Sequence, residues 1–249
     1  MDFTNTLAVL TGVGRAGQVG EVVARAFADR GADLVLIDRT PDGVQARAAE
    51  ISSATGRRAW GHAVDLTDGD AVQRLAASAV AAARGDGRVH ALVNLAGGFV
   101  SGGPVGESDL ALLERMVAIN LTTAFSATRA FLPFLRAAAA AGRDAGGASV
   151  VYFGSAAALP DGAAAGIGAY AAAKSGVLAL MRAVAEEERD AGIRANALAP
   201  TMIRTGANLR AMGDAPGVRY VEREAVADAV LFLCSAAARN VTGQVLKLE

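Results

Sequence analysis

Short apolar runs alternate with longer Ala/Arg/Glu-rich segments of helical period along nearly the whole chain, and this alternation constrains the fold more than any single motif. The apolar runs are continuous, as in Leu34-Val35-Leu36-Ile37. A strand with one wet face alternates polar and apolar residues, whereas a continuous run is buried on both faces, as in parallel sheets covered by crossover helices. The pattern predicts strands at Leu7–Thr11, Asp33–Ile37, Arg58–Val64, Ala91–Leu95, Ser149–Phe153, Arg194–Leu198 and Gln244–Leu248. Helices are predicted at Val19–Arg30, Pro41–Thr55, Asp68–Ala83, Glu107–Arg136, Ala169–Ala191 and Glu222–Ser235, with the alanine run Ala137–Ala141 as a helix end. The expected fold is α/β, a doubly wound Rossmann-type three-layer sandwich with a mostly or fully parallel seven-stranded sheet. No Pro/Ser linker, composition break or repeat divides residues 1–249, so a single domain is expected.

Charge and cysteine usage remove several function classes. The 249 residues carry 24 Lys+Arg against 25 Asp+Glu, a net charge of -1, which is not the basic footprint of a nucleic-acid binder. Cys234 is the only cysteine, so no intramolecular disulfide is possible. The start Met1-Asp2-Phe3-Thr4-Asn5 has neither the basic residues nor the apolar run of a signal peptide, and no uncharged apolar stretch reaches about 18 residues. A cytoplasmic protein without membrane partners is expected. Aromatic residues make up 5% of the chain and glycines number 29, so the core must be built from Ala, Val and Leu.

The first strand runs into Thr11-Gly12-Val13-Gly14-Arg15-Ala16-Gly17-Gln18-Val19-Gly20, after which helical periodicity begins. Glycines at a strand-to-helix turn let backbone approach a pyrophosphate, and the helix N-terminus supplies free amides and a positive dipole end. Tight turns also need glycine for conformation alone. The position of this turn, ahead of a second strand closed by Asp38, favours a dinucleotide site. Asp38 can accept hydrogen bonds from both adenosine ribose hydroxyls, which favours NAD; Arg39 and Arg15 are cations that could pair with the 2′-phosphate of NADP.

Tyr170-Ala171-Ala172-Ala173-Lys174 sets a phenol and an ammonium on one face of a helix. A neighbouring cation favours the phenolate, lowering the tyrosine pKa for proton exchange with a carbonyl or alcohol. Lys174 can also hydrogen-bond a ribose. The lysine is informative because, of the 24 basic residues, only Lys174 and Lys247 are lysine. The alternative is a packed tyrosine beside a surface lysine.

On these residues the chain resembles the short-chain dehydrogenase/reductase family through nearly its whole length. The family's usual turn is Thr-Gly, three residues, Gly, one residue, Gly; here those positions after Gly12 hold Ala16 and Gln18, and glycines stand at Gly17 and Gly20. The turn is two residues longer, similar to that of the enoyl-reductase branch, and the resemblance implies phosphate contacts from Gly12, Arg15, Gly17, Gln18 and Val19. It implies a relay in which Ser155, closing Val150-Val151-Tyr152-Phe153-Gly154, orients the substrate oxygen, Tyr170 donates or accepts the proton, and Asn120 anchors a water. A turn cap is the alternative role of Ser155, and a structural hydrogen bond that of Asn120.

Asn94-Leu95-Ala96-Gly97 is similar to the family's Asn-Asn-Ala-Gly, with Leu95 in place of the second asparagine, and makes Asn94, Ala96 and Gly97 cofactor-site residues. Asp65-Leu66 stands where the family contacts adenine, and Asn196 to Thr205 resembles the nicotinamide-side segment, implying roles for Pro200, Ile203 and Thr205, with Thr201 replacing the usual glycine. The implied activity is NAD(P)-dependent hydride transfer between nicotinamide and a carbonyl or secondary alcohol, NAD being preferred. A dihydropteridine- or enoyl-type reductase and a non-catalytic cofactor-sensing protein are the rivals. Relatives pair helices matching Glu107–Arg136 and Ala169–Ala191 between subunits, which implies a homotetramer or homodimer.

The segment Gly206–Val221 is short for the family, and Gly206, Gly213 and Gly217 favour turns over a continuous helix, with Leu209 and Met212 spaced to cover an apolar opening. An open, apolar-rimmed pocket that takes a flat or bulky carbonyl compound more readily than a small sugar is expected. His62 and His90 lie apart with one cysteine in the chain, so no metal-ligand spacing is visible. Glu186-Glu187-Glu188 reads as a solvated helix face and Cys234 as core filler.

Overall fold

The computed structural model describes residues 1–142, 147–213 and 219–249. The elements in chain order are β1 (Leu7–Thr11), α1 (Val19–Ala28), β2 (Asp33–Asp38), α2 (Pro41–Thr55), β3 (Ala59–Ala63), α3 (Gly69–Ala83), β4 (Ala91–Asn94), α4 (Leu110–Val117) and α5 (Thr123–Ala141). They continue with β5 (Ala148–Phe153), α6 (Gly168–Glu187), β6 (Ile193–Pro200), β7 (Met202–Ile203), α7 (Gly206–Met212), β8 (Tyr220–Val221), α8 (Arg223–Cys234) and β9 (Val245–Leu248). Seven strands form one sheet in the order β3-β2-β1-β4-β5-β6-β9, every pair parallel. The order reverses between β1 and β4, and the carboxyl ends of these neighbours open a crevice, the usual ligand position in such sheets.

The continuous apolar runs are buried on both sides, as their pattern requires. On one face Leu10, Leu34 and Leu36 pack with Val23 and Phe27 of α1, Ile51 of α2 and Val230 of α8. On the other, Val9, Val35 and Tyr152 pack with Val72 of α3, Phe131 and Leu135 of α5, and Met181 of α6. Local sequence sets the helix ends. Pro41 opens α2, and Gly56 closes it in the left-handed region at φ 68°. Asp68 caps α3 by accepting from the amides of Asp70 and Ala71 at 3.1 and 2.9 Å.

Three expectations are corrected and one element pair is new. The run expected as one helix over Glu107–Arg136 is a 3₁₀ turn at Val105–Glu107, then α4 capped by Asp109, a π-turn at Ala118–Thr122, and α5 to Ala141. The π-turn, with its wider ring, carries Asn120. A small parallel pair, β7 with β8, was not anticipated, each strand being two residues long. Glu188 does not belong to a solvated face: it is 3% exposed, and its carboxylate accepts from Nε and Nη2 of Arg136. The segment after Thr205 forms α7 rather than turns alone, ended by Gly213 at φ 69°. Gly217 and the Met212 side chain lie outside the described residues.

By length and composition Leu110–Ala141 could cross a membrane. Its inner side is spent on the core instead, with Met116, Phe131, Leu135 and Ala139 buried.

Candidate active site

The glycine turn and the loop after β4 meet across the crevice. Gly12 takes φ 75°, and a Cβ there would stand 2.7 Å from the Ala96 backbone, so only glycine permits this approach. The Thr11 hydroxyl accepts from the Ala96 amide at 3.1 Å and fixes the same contact. Gly17 is left-handed at φ 72°, and its amide donates to the Glu21 carboxylate. Gln18 is the N-cap residue of α1 and Val19 its first residue, while Arg15 is exposed. The Gly206 amide donates to the Gly17 carbonyl at 3.2 Å, bringing the segment after β7 onto the glycine turn. Thr205 is buried there and caps α7 by accepting from the Asn208 amide at 3.1 Å; Pro200 ends β6 and Ile203 lies in β7.

Asp38 closes β2 and reaches into the turn. Its Oδ2 accepts from the Gly14 amide at 2.8 Å and its Oδ1 from the Thr40 amide at 3.0 Å. A Cβ on Gly14 would meet the Asp38 carboxyl carbon at 2.7 Å, so the second glycine of the turn makes room for this acid. Asp65 is exposed; hydrogen bonds from Thr67 hold its carboxyl below the usual range, with a smaller contribution from Arg39. Leu66 is buried in the core beside it. The Asn94 side chain is buried: its amide donates to the Thr128 hydroxyl at 3.2 Å, which pairs with the Tyr152 hydroxyl at 2.9 Å.

The four residues expected to carry the relay converge. Ser155 follows β5, is 8% exposed, and accepts from the Ala157 amide at 3.3 Å. Tyr170 lies in the first turn of α6, and burial pushes its phenol above the usual value while the Ser155 hydroxyl pulls it back in part. Lys174, one turn on, is buried; its ammonium donates to the Phe153 carbonyl at 2.7 Å and lies 5.9 Å from the Tyr170 ring centre. Burial lowers its pKa to about 8. The expectation that the cation dominates the phenol is therefore corrected: in the protein alone, desolvation governs both groups. Asn120 accepts from the Gly98 amide at 3.2 Å and donates to the Gly98 carbonyl at 3.0 Å and the Met116 carbonyl at 3.0 Å. Gly97 lies against both Asn120 and Lys174, since a Cβ there would be 2.7 Å from Asn120 Oδ1 and 3.4 Å from Lys174 Nζ.

Phe99, two residues beyond Gly97, escaped the sequence reading. Its ring packs edge-on against Tyr170, with centroids 5.1 Å apart at 87°. The signal available was an aromatic residue directly after a glycine pair, outside any apolar run. Among the described residues no group of three His, Cys, Asp or Glu side chains is placed to hold a metal. His62 and His90 both sit below the usual histidine pKa because of burial, and the Leu7 amide donates to His90 Nδ1 at 3.1 Å.

A parallel sheet with this reversal, a glycine turn at its crevice and a Ser-Tyr-Lys-Asn constellation define a dinucleotide-binding oxidoreductase. The chain belongs to the short-chain dehydrogenase/reductase family. The family model described as "Enoyl-(Acyl carrier protein) reductase" matches residues 12–249. Galactitol 2-dehydrogenase (L-tagatose-forming) of Cereibacter sphaeroides is 34% identical over 97% of this chain and 92% of its own. Cis-4-hydroxycyclohexanecarboxylate dehydrogenase of Sinomonas cyclohexanicum is 35% identical over 99% and 96%. The crystal structure of carveol dehydrogenase from Mycobacterium avium in complex with NAD superposes with a TM-score of 0.86 at 27% identity, covering 98% of this chain and 96% of that one.

Proposed function

We propose that the protein is an NAD(P)-dependent oxidoreductase interconverting a secondary alcohol and a carbonyl, with NAD preferred and Tyr170 as the proton donor or acceptor. The observation that carries this reading is the convergence of Tyr170, Ser155 and the buried Lys174 at the end of β5, beside the loop that follows β4. The crevice fits a dinucleotide. Gly17 leaves the turn open, with nothing within 4 Å of where a Cβ would stand, α1 points its N-terminus at the turn, and Asp38 offers a carboxylate at the end of β2. That carboxylate disfavours a 2′-phosphate. Bound nicotinamide supplies the hydride acceptor or donor.

The chain's own residues handle the oxygen and its proton. For oxidation, Ser155 holds the alcohol oxygen and the Tyr170 phenolate takes its hydroxyl proton as the carbinol hydrogen leaves with its electron pair. For reduction the proton returns from Tyr170. Lys174, fixed by the Phe153 carbonyl, would hold the ribose of the bound cofactor and, with a water on Asn120, would pass the proton outward. An enoyl-type reaction is favoured by the long turn and by the matching family model's description, and opposed by the four-residue Tyr170 to Lys174 spacing.

The test is a spectrophotometric screen of alcohols and ketones with both nicotinamide cofactors, repeated on Tyr170→Phe. Turnover with NAD, and a variant that binds NADH normally but turns over about 10²–10⁴-fold more slowly, are expected. A variant of near-wild-type rate overturns the role of Tyr170.

A further inference from the structure

Phe99 stands on the open side of the tyrosine proposed to react. It is 58% exposed, yet its ring rests edge-on against Tyr170. Its position is set by backbone, not by burial. The Asn120 amide grips both polar atoms of Gly98, the residue just before it. The π-turn that carries Asn120 also directs the Asn120 amide into its own helix, onto the Met116 carbonyl. Beyond Phe99 the loop is clasped to the segment ahead of α6. The Gly166 carbonyl accepts from the Ser101 hydroxyl and from the Gly102 amide, each at 3.3 Å. Val105 backs Gly168, where a Cβ would lie 3.1 Å from Val105 Cγ2. Phe99 is thus a held, solvent-facing aromatic surface beside the reacting phenol.

The two clasped walls are poor in polar side chains. Residues 96–106 and 162–170 contain no charged and no amide side chain; apart from Tyr170, their one hydroxyl is Ser101, committed to Gly166. Asp161, the residue just ahead of the second wall, is paired with Lys247 at 3.4 Å. A polyol chain lying along these walls would surrender water at each hydroxyl with few partners in return, whereas an apolar ring would cover Phe99 and lose nothing.

We infer that Phe99 determines substrate specificity, and that the substrate is an uncharged secondary alcohol, or its ketone, carrying an alicyclic or aromatic group next to the carbinol carbon. This rests on the oxidoreductase reading above and names the substrate class of the same site. No change in the chemistry is implied: the same hydride and proton leave the carbinol.

The test compares kcat/KM for NAD-linked oxidation of 1-cyclohexylethanol and 1-phenylethanol with that for galactitol, in wild type, Phe99→Ala and Phe99→Leu. NADH binding followed by fluorescence serves as the measure of an intact site. The ring alcohols should exceed galactitol by about tenfold or more, and Phe99→Ala should shrink that ratio by about tenfold, Phe99→Leu less. A galactitol preference, or a ratio unchanged in both variants that still bind NADH, overturns the specificity assignment while leaving the oxidoreductase reading intact. Wild-type protein that binds NADH and oxidises neither class overturns the oxidoreductase reading itself.

Discussion

At the scale of single residues, Lys174 is the clearest conflict between fold and solvent. An ammonium with one carbonyl partner is buried, and its pKa falls to about 8 from an ordinary 10.5. Between those values the unfolded chain binds more protons than the folded one, so this residue's contribution to stability rises with pH through that window. Tyr170 and Cys234 act in the opposite sense at the alkaline end, because burial raises both. Comparison with Lys174→Met cancels them. The melting temperature of cofactor-free wild type relative to Lys174→Met should climb between pH 7 and pH 9.5; a constant difference across that range would mean that the lysine titrates as if exposed.

At the scale of elements, α5 and α6 are tied at their ends by Arg136 and Glu188. The Glu188 side chain is 3% exposed while that of Arg136 is 55% exposed, so removing the arginine strands a buried carboxylate. Arg136→Ala should cost about 1–3 kcal/mol, or roughly 2–4 °C in melting temperature for each kcal/mol in a chain of this size. Adding Glu188→Gln should recover part of the loss, and denaturant melts of the three variants check both statements. Glu188 also shows where the sequence stops being legible. Three successive glutamates look alike in a string, and burial of the third depends on an arginine 52 positions away. The alternation of apolar and helical segments did reveal the strands and their order along the chain, because burial on both faces leaves a local signature in runs such as Leu34 to Ile37. The π-turn at Ala118–Thr122 leaves none, since one extra residue in a helical ring does not disturb an apolar period read over several turns. The pair Met202–Ile203 with Tyr220–Val221 is too short to show a period at all. For the site, the tyrosine, lysine and serine were visible through spacing and strand ends. Phe99 was not, because its place beside Tyr170 comes from a backbone clamp made by a residue 21 positions later.

For the whole molecule, the outer surface of α4 and α5 carries more apolar side chain than water alone would favour. Leu110, Leu113 and Phe125 are 66%, 37% and 52% exposed. A homodimer or homotetramer covering this surface is expected, and light scattering at micromolar concentration should give a multiple of the 25.1 kDa chain mass, reduced toward one chain by Phe125→Glu. A monomeric wild type would remove the case for assembly. The reversal of strand order has a separate consequence in time. In order of synthesis β2 is the first partner available to β1, Leu7 opposite Asp33, while its other neighbour comes later and begins with Ala91 opposite Ala8. Until that stretch leaves the ribosome, one side of Leu7–Thr11 is a bare row of backbone donors and acceptors on an apolar strand, open to pairing with any other nascent chain. The junction that becomes the crevice is therefore the last part of the first half-sheet to be sealed, and its sealing waits on loop closure across most of that half.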